Sequence, residues 1–456
     1  MKLVYGVKDK PSFGKTLVFA LQQLLAILAA TIAVPAIIGN GMSQSAALFG
    51  AGVGTIVYLL FTKFRSPVFL GSSFAFLGSM AAAFAGGVSA SAGYLGMIFG
   101  AVMAGLVYVV IALIVKFAGV KWISKLMPAV VIGPTVAIIG LSLSGNAIGD
   151  AVGVAKDGSA FVMNAHAGVC LICALVTLAV TMLCSVFGKK MMKMIPFIIG
   201  IVSGYIVASI FTIIGNNTGI DALKIIDYSA FSNLRWVPSF TFETAFSGGY
   251  DFGDAGSIAS YIGTIAAAYV PVAFVVFAEH IADHKNISTI IEHDLLEDPG
   301  LHRTLLGDGV GSMVGAFFGG CPNTTYGESI GCVAISGNAS VVTILATAIL
   351  AIIASFFAPF VAFLASIPSC VMGGVCISLY GFIAVSGLKM IQDVDLGENR
   401  NLFIVSVILI AGVGGLVLKF GSVTITEVAC ALILGILTNL ILPEKKKADK
   451  DAKETK

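Results

Sequence analysis

Long apolar stretches separated by short polar ones recur almost from one end of the chain to the other. Most of them reach the length of about 20 residues that a helix needs to cross the hydrocarbon core of a membrane. The pattern therefore predicts an all-α polytopic membrane protein. We expect about fourteen spans, which begin near Thr16, Gln44, Val68, Leu95, Pro128, Gly168, Met194, Ser260, Thr304, Thr325, Val341, Pro368, Leu402 and Thr424.

Two of these spans interrupt the apolar pattern with polar, glycine and proline residues. The third contains the stretch from Ser66 to Phe76, and the tenth opens with the stretch from Gly319 to Gly331. Interrupted spans at matching positions of two halves are the best sequence indication of a binding site near the membrane midplane. Backbone groups that no helix consumes persist at that depth only when they are buried in protein or face a wet cavity. Plain kinked helices are the alternative interpretation.

Composition agrees with the membrane prediction, and the charges give an orientation. Charged residues make up 11% of the chain, against about 25% in a soluble domain. Lysine and arginine concentrate in alternate loops and at both chain ends, which the positive-inside rule places in the cytoplasm. Both termini are then inside, the number of spans is even, and the acid-leaning loop 216–258 lies outside. Halves of seven spans each have opposite orientations, as in many secondary transporters. The net charge of +2 gives no support for nucleic-acid binding.

Two carboxylates lie within or at the end of apolar stretches, where a charge is costly and is a functional candidate by default. Glu279 ends the apolar run of the eighth span, and Glu328 follows Tyr326 and Gly327 in the tenth. Asp283 lies four residues beyond Glu279 on the same helix face. It either couples to Glu279 or lies at the cytoplasmic mouth, and the sequence leaves both roles open.

Other polar residues carry weaker expectations. Asp308 is structural or part of a proton path, and Glu427 is interfacial. Gln22 and Gln23 line a cavity or bridge helices, and His280 is structural. The remaining histidines are expected in loops or at helix boundaries: His166, His284, His293 and His302.

The eight cysteines lie mostly in apolar segments. Cys170 and Cys173 form a CxxC motif, but the sequence supplies neither a second such pair nor a histidine cluster beside it. We interpret the cysteines as small packing residues and expect no metal site and no cofactor. Because the chain also lacks a nucleophile elbow and a phosphate-binding loop, the sequence does not predict an enzyme.

Two carboxylates beside free backbone N–H groups suit a neutral planar heterocycle. Uracil would offer ring N–H donors to the carboxylates and carbonyl acceptors to the backbone, while Phe74, Phe76 and Tyr326 pack on its faces. A proton exchanged at the same carboxylates would couple binding to a proton gradient.

Five motifs carry a resemblance to a known family: Gly71-Ser-Ser-Phe-Ala-Phe76, Ala278-Glu-His280, Asp298-Pro-Gly-Leu-His-Arg303, Pro322-Asn-Thr-Thr-Tyr-Gly-Glu328 and Val371-Met-Gly-Gly374. Over essentially its whole length the chain resembles the nucleobase–ascorbate transporter (nucleobase:cation symporter) family, and within it the bacterial uracil permeases. The third and fourth motifs are long enough to make the match specific.

The resemblance implies two inverted repeats of seven spans, short extended strands in spans 3 and 10, and proton symport by movement of a core domain against a gate domain. Homodimers are also typical of the family. The implied organisation is a cytoplasmic arm (1–15), a core domain (16–127 and 259–366), a gate domain (128–215 and 367–443), an extracellular loop (216–258) and a cytoplasmic tail (444–456).

The resemblance also implies roles for individual residues. Phe74 would supply a backbone contact, Tyr326 packing and Gly327 a backbone N–H group. Glu279 and Glu328 would bind the nucleobase. The candidates for proton coupling are Glu279, Glu328 and Asp283.

The chain departs from the family pattern at three places. Ser329 follows Glu328 where uracil permeases usually have asparagine, and Ser336 and Gly337 replace a common Thr-Arg pair. Asp283 stands where a histidine is common. A purine or xanthine permease of the same family and an anion transporter of the related fold therefore stay open as alternatives, and so does sodium as the coupling ion. Glu328, where purine-type members commonly carry glutamine, favours a pyrimidine.

Overall fold

The structure, a computed structural model, describes residues 3–119, 121–154, 156–157, 160–189, 191–232, 234–420 and 423–442. The predicted cytoplasmic tail 444–456 lies outside these residues. So do Lys2 and Lys190, two of the lysines at the chain ends and in the loops that the positive-inside rule places in the cytoplasm. The first half of the chain forms α1 (Phe13–Ile38), α2 (Gln44–Phe61), α3 (Leu77–Ala83), α4 (Ala90–Ala118), α5 (Lys121–Leu126), α6 (Ala129–Ser142), α7 (Ser144–Val152), α8 (Ala165–Phe187), α9 (Met191–Met194) and α10 (Pro196–Thr218).

The second half is equally helical. It forms α11 (Ser229–Ser232), α12 (Thr241–Ala245), α13 (Ile258–Ile291), α14 (Leu301–Gly319), α15 (Gly327–Ser336), α16 (Val341–Ser355), α17 (Ala358–Ser366), α18 (Ser369–Met390), α19 (Asn399–Val413) and α20 (Glu427–Ile441).

The strands are short and pair antiparallel in twos. Two of the pairs are hairpins of neighbouring strands, whereas β1 pairs with β4 across the whole chain. The strands are β1 (Leu70–Ser72), β2 (Lys156–Asp157), β3 (Ala160–Phe161), β4 (Asn323–Thr325), β5 (Leu418–Phe420) and β6 (Val423–Ile425).

Eight helical spans among the described residues are long and apolar enough to cross a membrane, and the pair α16 and α17, bent by 82°, makes a ninth if counted as one span. The five remaining predicted spans coincide with elements that are shorter or less apolar: the third with β1 and α3, the ninth with α14, the tenth with β4 and α15, and the last two with α19 and α20. The all-α polytopic fold is confirmed, and the count of fourteen spans stays a prediction. The largest error in a predicted start is at α4, which begins at Ala90 rather than Leu95.

Local signals explain where several helices begin. Ser43, Ser89 and Asn164 each accept a hydrogen bond from a backbone N–H three residues later, which satisfies one of the free donors of α2, α4 and α8. Pro196 occupies the first turn of α10, where its missing N–H costs nothing.

The helices pack in two groups. In the first, α2 packs on α14 and α16, α4 packs on α14 and α13, and α1 packs on α16. In the second, α18 packs on α6, α7 and α8, α8 packs on α10, and α19 packs on α20 and α6. Glycine makes the closest approach possible, since a Cβ at Gly50 of α2 would lie 2.5 Å from the carbonyl oxygen of Gly315 of α14.

The predicted extracellular loop is folded rather than extended, with α11, α12 and two 3₁₀ turns. In the first of these turns Lys224 donates a hydrogen bond of 2.7 Å to Asp221, which lowers the pKa of that exposed carboxyl. Acidic Asp254 and basic Arg235 lie further along the same loop.

Candidate substrate site

The two interrupted spans meet in the protein interior, where their short strands β1 and β4 pair side by side. We call this strand pair the crossing. Strand β1 pairs with β4 so that Leu70 lies opposite Thr325 and Ser72 opposite Asn323, and every residue of both strands is buried. The ladder extends beyond the strands, because the N–H of Ser73 donates to the carbonyl oxygen of Pro322 at 2.9 Å. Each strand thus satisfies the backbone groups that the other would leave free, which is what nonhelical backbone needs inside a membrane protein.

A glycine and a tyrosine hold the crossing in register. The ring of Tyr326 lies against Gly71, where an added Cβ would be only 2.2 Å from the ring, so the site requires glycine. The hydroxyl of Tyr326 donates to the carbonyl oxygen of Ser72 at 2.8 Å. The Asn323 side chain donates to the carbonyl oxygen of Gly50 at 3.0 Å, which ties β4 to α2.

Each strand is followed by a short helical element that begins in the interior. Phe74 opens a 3₁₀ turn that leads into α3, and its ring packs edge-on against Tyr380 of α18 with 5.6 Å between centroids. Gly327 begins α15 and is exposed, and Glu328 in the first turn of that helix is half-buried. An anion or a hydrogen-bond acceptor is stabilised at such a helix N-terminus by free N–H groups and the helix dipole.

Helix α13 passes both of these helix starts and brings two further carboxylates to them. Glu279 and Asp283, one turn apart, are both half-buried. Asp283 accepts a hydrogen bond of 2.7 Å from the hydroxyl of Thr325 at the end of β4. Glu279 interacts electrostatically with Asp283 and with Glu328. The structure therefore brings together Phe74, Glu279, Asp283, Tyr326, Gly327 and Glu328.

An adjacent face of α13 carries a buried polar network that the sequence interpretation missed. His280 Nδ1 lies 2.7 Å from Asp308 of α14, and His280 Nε2 lies 3.0 Å from the hydroxyl of Thr304. His284 stacks on His280 with 4.0 Å between ring centroids and lies 2.7 Å from the hydroxyl of Tyr58. His280, His284 and Asp308 are all 0% exposed.

The expectation for His284 was wrong, because this residue lies in the protein interior and not at a helix boundary. Its spacing of four residues from His280 was the signal that would have placed both on one helix face. Gln23 bridges helices, since its amide donates to Ser329 at the hydroxyl (2.5 Å) and at the carbonyl oxygen (3.2 Å). Gln22 turns away and approaches Met191.

A recess opens beside Phe74, between α3, α6 and the start of α20. Besides Phe74 its walls include Gly78, Ser142, Thr426 and half-buried Glu427. Glu427, expected at the membrane interface, is thus a wall residue of a recess that adjoins the crossing. Among the described residues, no three histidine, cysteine, aspartate or glutamate side chains are grouped so as to hold a metal ion.

Known proteins resemble this chain in sequence over nearly its full length. The model of the permease family Xan_ur_permease matches residues 14–419. A uracil permease of Bacillus caldolyticus is 42% identical, with 98% of this chain and 96% of that protein covered. The uracil permeases of Bacillus subtilis and Escherichia coli K12 are 38% and 34% identical, covering 99% and 96% of this chain and 98% and 93% of their own lengths.

Solved structures resemble it in fold. The transmembrane domain of the cyanobacterial bicarbonate transporter BicA has a TM-score of 0.61 at 16% identity and covers 96% of this chain and 99% of its own. SLC26A9 has a TM-score of 0.66 at 12% identity and covers 94% of this chain and 64% of its own. With the family model, the relatives and the shared transporter fold in agreement, this multi-pass membrane protein is a transporter and not an enzyme, and it belongs to the permease family of nucleobase–ascorbate transporters.

Proposed function

We propose that this protein imports uracil by proton symport and that the nucleobase binds where the helix starts after β1 and β4 meet the carboxylate face of α13. The observation that supports this most strongly is the convergence of Glu279, Asp283 and Glu328 on one crossing of broken spans. The three relatives compared above are uracil permeases, which favours uracil over other nucleobases.

The chemistry of the site suits a neutral planar base. Glu328 and Glu279 accept hydrogen bonds from the two ring N–H groups, and the N–H at Gly327 donates to a ring carbonyl. Phe74 and Tyr326, 8% and 4% exposed, pack on the base from the segments that follow the two strands. A carboxylate that loses such a donor is left unpaired, which gives selectivity against analogues without the N–H group.

The same three carboxylates supply the coupling. Like charges held close together in a poorly solvated site are costly, so a proton shared by Glu279, Asp283 and Glu328 stabilises the loaded state. Asp283 is the carboxylate held by Thr325, and it links the proton site to the end of β4. We assign proton coupling first to Glu279, which ends the apolar run of α13 and interacts with both of the others.

The helix packing supports a division of labour within the chain. The first group of helices (α1, α2, α4, α13, α14 and α16) with the crossing forms a core domain, and the second (α6, α7, α8, α10, α18, α19 and α20) forms a gate domain. Phe74 on Tyr380 is a contact between the two. Movement of core against gate would expose the site to either side, with both termini cytoplasmic in the inner or plasma membrane and two copies forming a dimer.

An anion transporter is disfavoured although the solved structures with this fold include a bicarbonate transporter and an anion transporter. Three half-buried carboxylates facing one site repel an anion. The fold is shared, whereas the charge at the crossing argues for a neutral substrate.

Uptake of radiolabelled uracil into cells that lack their own uracil permease tests the proposal. Excess unlabelled uracil, thymine, xanthine or adenine serves as competitor. We expect saturable uptake that uracil blocks, that purines leave intact and that an uncoupler abolishes. Inhibition of uptake by xanthine would indicate a purine substrate. Uptake driven by a sodium gradient would refute proton coupling.

A further inference from the structure

Three cysteines from two distant parts of the chain meet at one contact of α8 with α18. Cys170 and Cys173, the CxxC motif, lie in the first turns of α8, and Cys370 is the second residue of α18. The Cys370 thiol interacts electrostatically with those of Cys170 and Cys173. All three thiols are reduced in the structure, and the residues are 4%, 0% and 1% exposed.

Close backbone packing holds these thiols in reach of one another. A Cβ at Gly374 of α18 would lie 2.4 Å from the carbonyl oxygen of Ala174 of α8, one turn from the cysteines. A Cβ at Gly153 would lie 2.9 Å from the sulfur of Cys170, and Gly153 has a φ of +68° that favours glycine. The two helices therefore pack closely beside the cysteines, which a disulfide between them requires.

His166 lies beside one of the three thiols, that of Cys170. His166 Nε2 lies 3.5 Å from the sulfur of Cys170, and its Nδ1 lies 3.2 Å from the carbonyl oxygen of Ala222. Because a carbonyl oxygen only accepts, Nδ1 carries the proton in the neutral ring, and Nε2 presents its lone pair to Cys170. A thiol beside such a base is activated as a nucleophile. His166 is half-exposed, so solutes reach the group from its side.

We propose that Cys170, Cys173 and Cys370 form a peroxide-responsive thiol site that closes a disulfide between α8 and α18. Cys170 is the nucleophile, His166 its base, Cys370 the resolving thiol and Cys173 an alternative partner for Cys370. With both termini cytoplasmic, the starts of α8 and α18 face the outside, where disulfides form and persist.

The reaction balances with a hydroperoxide as oxidant. His166 takes the thiol proton, the Cys170 thiolate attacks the outer peroxide oxygen, and the O–O bond breaks. The leaving alkoxide takes the proton from His166 and departs as an alcohol, which leaves Cys170 as a sulfenic acid. The Cys370 sulfur then attacks the sulfur of Cys170, and water leaves as the disulfide forms. Two thiols are oxidised, and one peroxide is reduced to an alcohol and water.

Non-reducing peptide mass spectrometry tests the proposal on the full-length protein. The reduced, purified protein is exposed to tert-butyl hydroperoxide, its remaining thiols are alkylated, and it is digested without reductant. We expect a peptide that joins Cys370 to Cys170, with exchange to Cys173, and an upward shift of the unfolding temperature that dithiothreitol reverses. Three alkylated thiols, or a cross-link between Cys170 and Cys173 only, would overturn the proposal.

Variants separate the roles. Cys370→Ser removes every cross-link to α18, whereas Cys184→Ser, near the other end of α8, leaves the cross-link unchanged. His166→Gln slows the oxidation about 100- to 10,000-fold, the usual contribution of a positioned base, and alkylation of Cys170 slows with it. Unchanged rates in a folded His166→Gln protein would refute the role of His166, while the wild-type cross-link decides the site itself.

Discussion

Two faces of α13, one residue apart in sequence, have opposite characters. Glu279 and Asp283 are half-buried and lie at the strand crossing, whereas His280 and His284 are fully buried and bonded to α14 and α2. A step of one residue turns a helix by about 100°, so neighbouring residues face different surroundings. The comparison teaches that polarity alone does not mark a transport residue. We expect accessibility to a ligand to divide the proposed substrate face from the face that fixes the helix.

The largest effect is expected at Glu279. Glu279→Gln removes a carboxylate that takes up the coupling proton. We therefore expect uphill accumulation of uracil to be lost while the protein still folds. Uptake into energised cells, with and without an uncoupler, measures this, and surface abundance of the variant is the control. Uncoupler-sensitive uphill uptake at the wild-type rate would remove Glu279 from the coupling role.

The buried face should respond in stability and not in affinity. His280→Leu leaves Asp308 without its nearest partner, and an unsatisfied buried polar group costs about 1–3 kcal/mol. We expect a lower unfolding temperature in detergent and an unchanged KM for uracil in the folded fraction. A variant of normal thermal stability with a raised KM would place His280 on the substrate face instead.

The hydroxyl of Thr325 links the end of β4 to the carboxylate face of α13. Thr325→Val removes the donor to Asp283, and a hydrogen bond to a charged group contributes about 1.5–3 kcal/mol. We expect a loss of uptake of about 10- to 100-fold with little change in folding. Thr324→Val at the neighbouring buried position is the matched control, and equal losses in both would point to a packing effect.

The smallest effect is expected at the far end of the buried network. Tyr58→Phe keeps the ring and removes the hydroxyl that bonds Ser66 and His284, at a cost of about 1 kcal/mol. The unfolding temperature should fall slightly and uracil uptake should stay within twofold of wild type. A strong uptake defect would show that this network takes part in transport.

The membrane fold was accessible from the sequence because its signal is simple. Apolar length predicts spans, and the breaks at Gly71 and Gly319 predicted nonhelical backbone at matching positions. The break of the fifth span at Leu143 and the 82° bend between α16 and α17 were not predicted. Such bends depend on packing between helices, for which a single apolar stretch carries no signal.

Part of the candidate site was accessible for a similar reason. A carboxylate in an apolar stretch is conspicuous, so Glu279 and Glu328 could be named from the sequence. Partners from distant spans could not, and the contact of Asp308 with His280 was one that the sequence did not indicate. Cys370 likewise gave no sign of its contact with the CxxC motif.

Binding of radiolabelled uracil to the purified protein tests the central claim most directly, with Glu328→Gln compared with Glu427→Gln. Both glutamates are half-buried in the first turn of a helix, but only Glu328 lies at the strand crossing. If the nucleobase binds at the crossing, Glu328→Gln weakens binding about 10- to 100-fold, as expected for a lost hydrogen bond to a charged group. Glu427→Gln then binds uracil as the wild type does. Undiminished binding by Glu328→Gln would contradict a nucleobase site at the crossing. Loss of binding only in Glu427→Gln would place the site in the recess beside α20 instead.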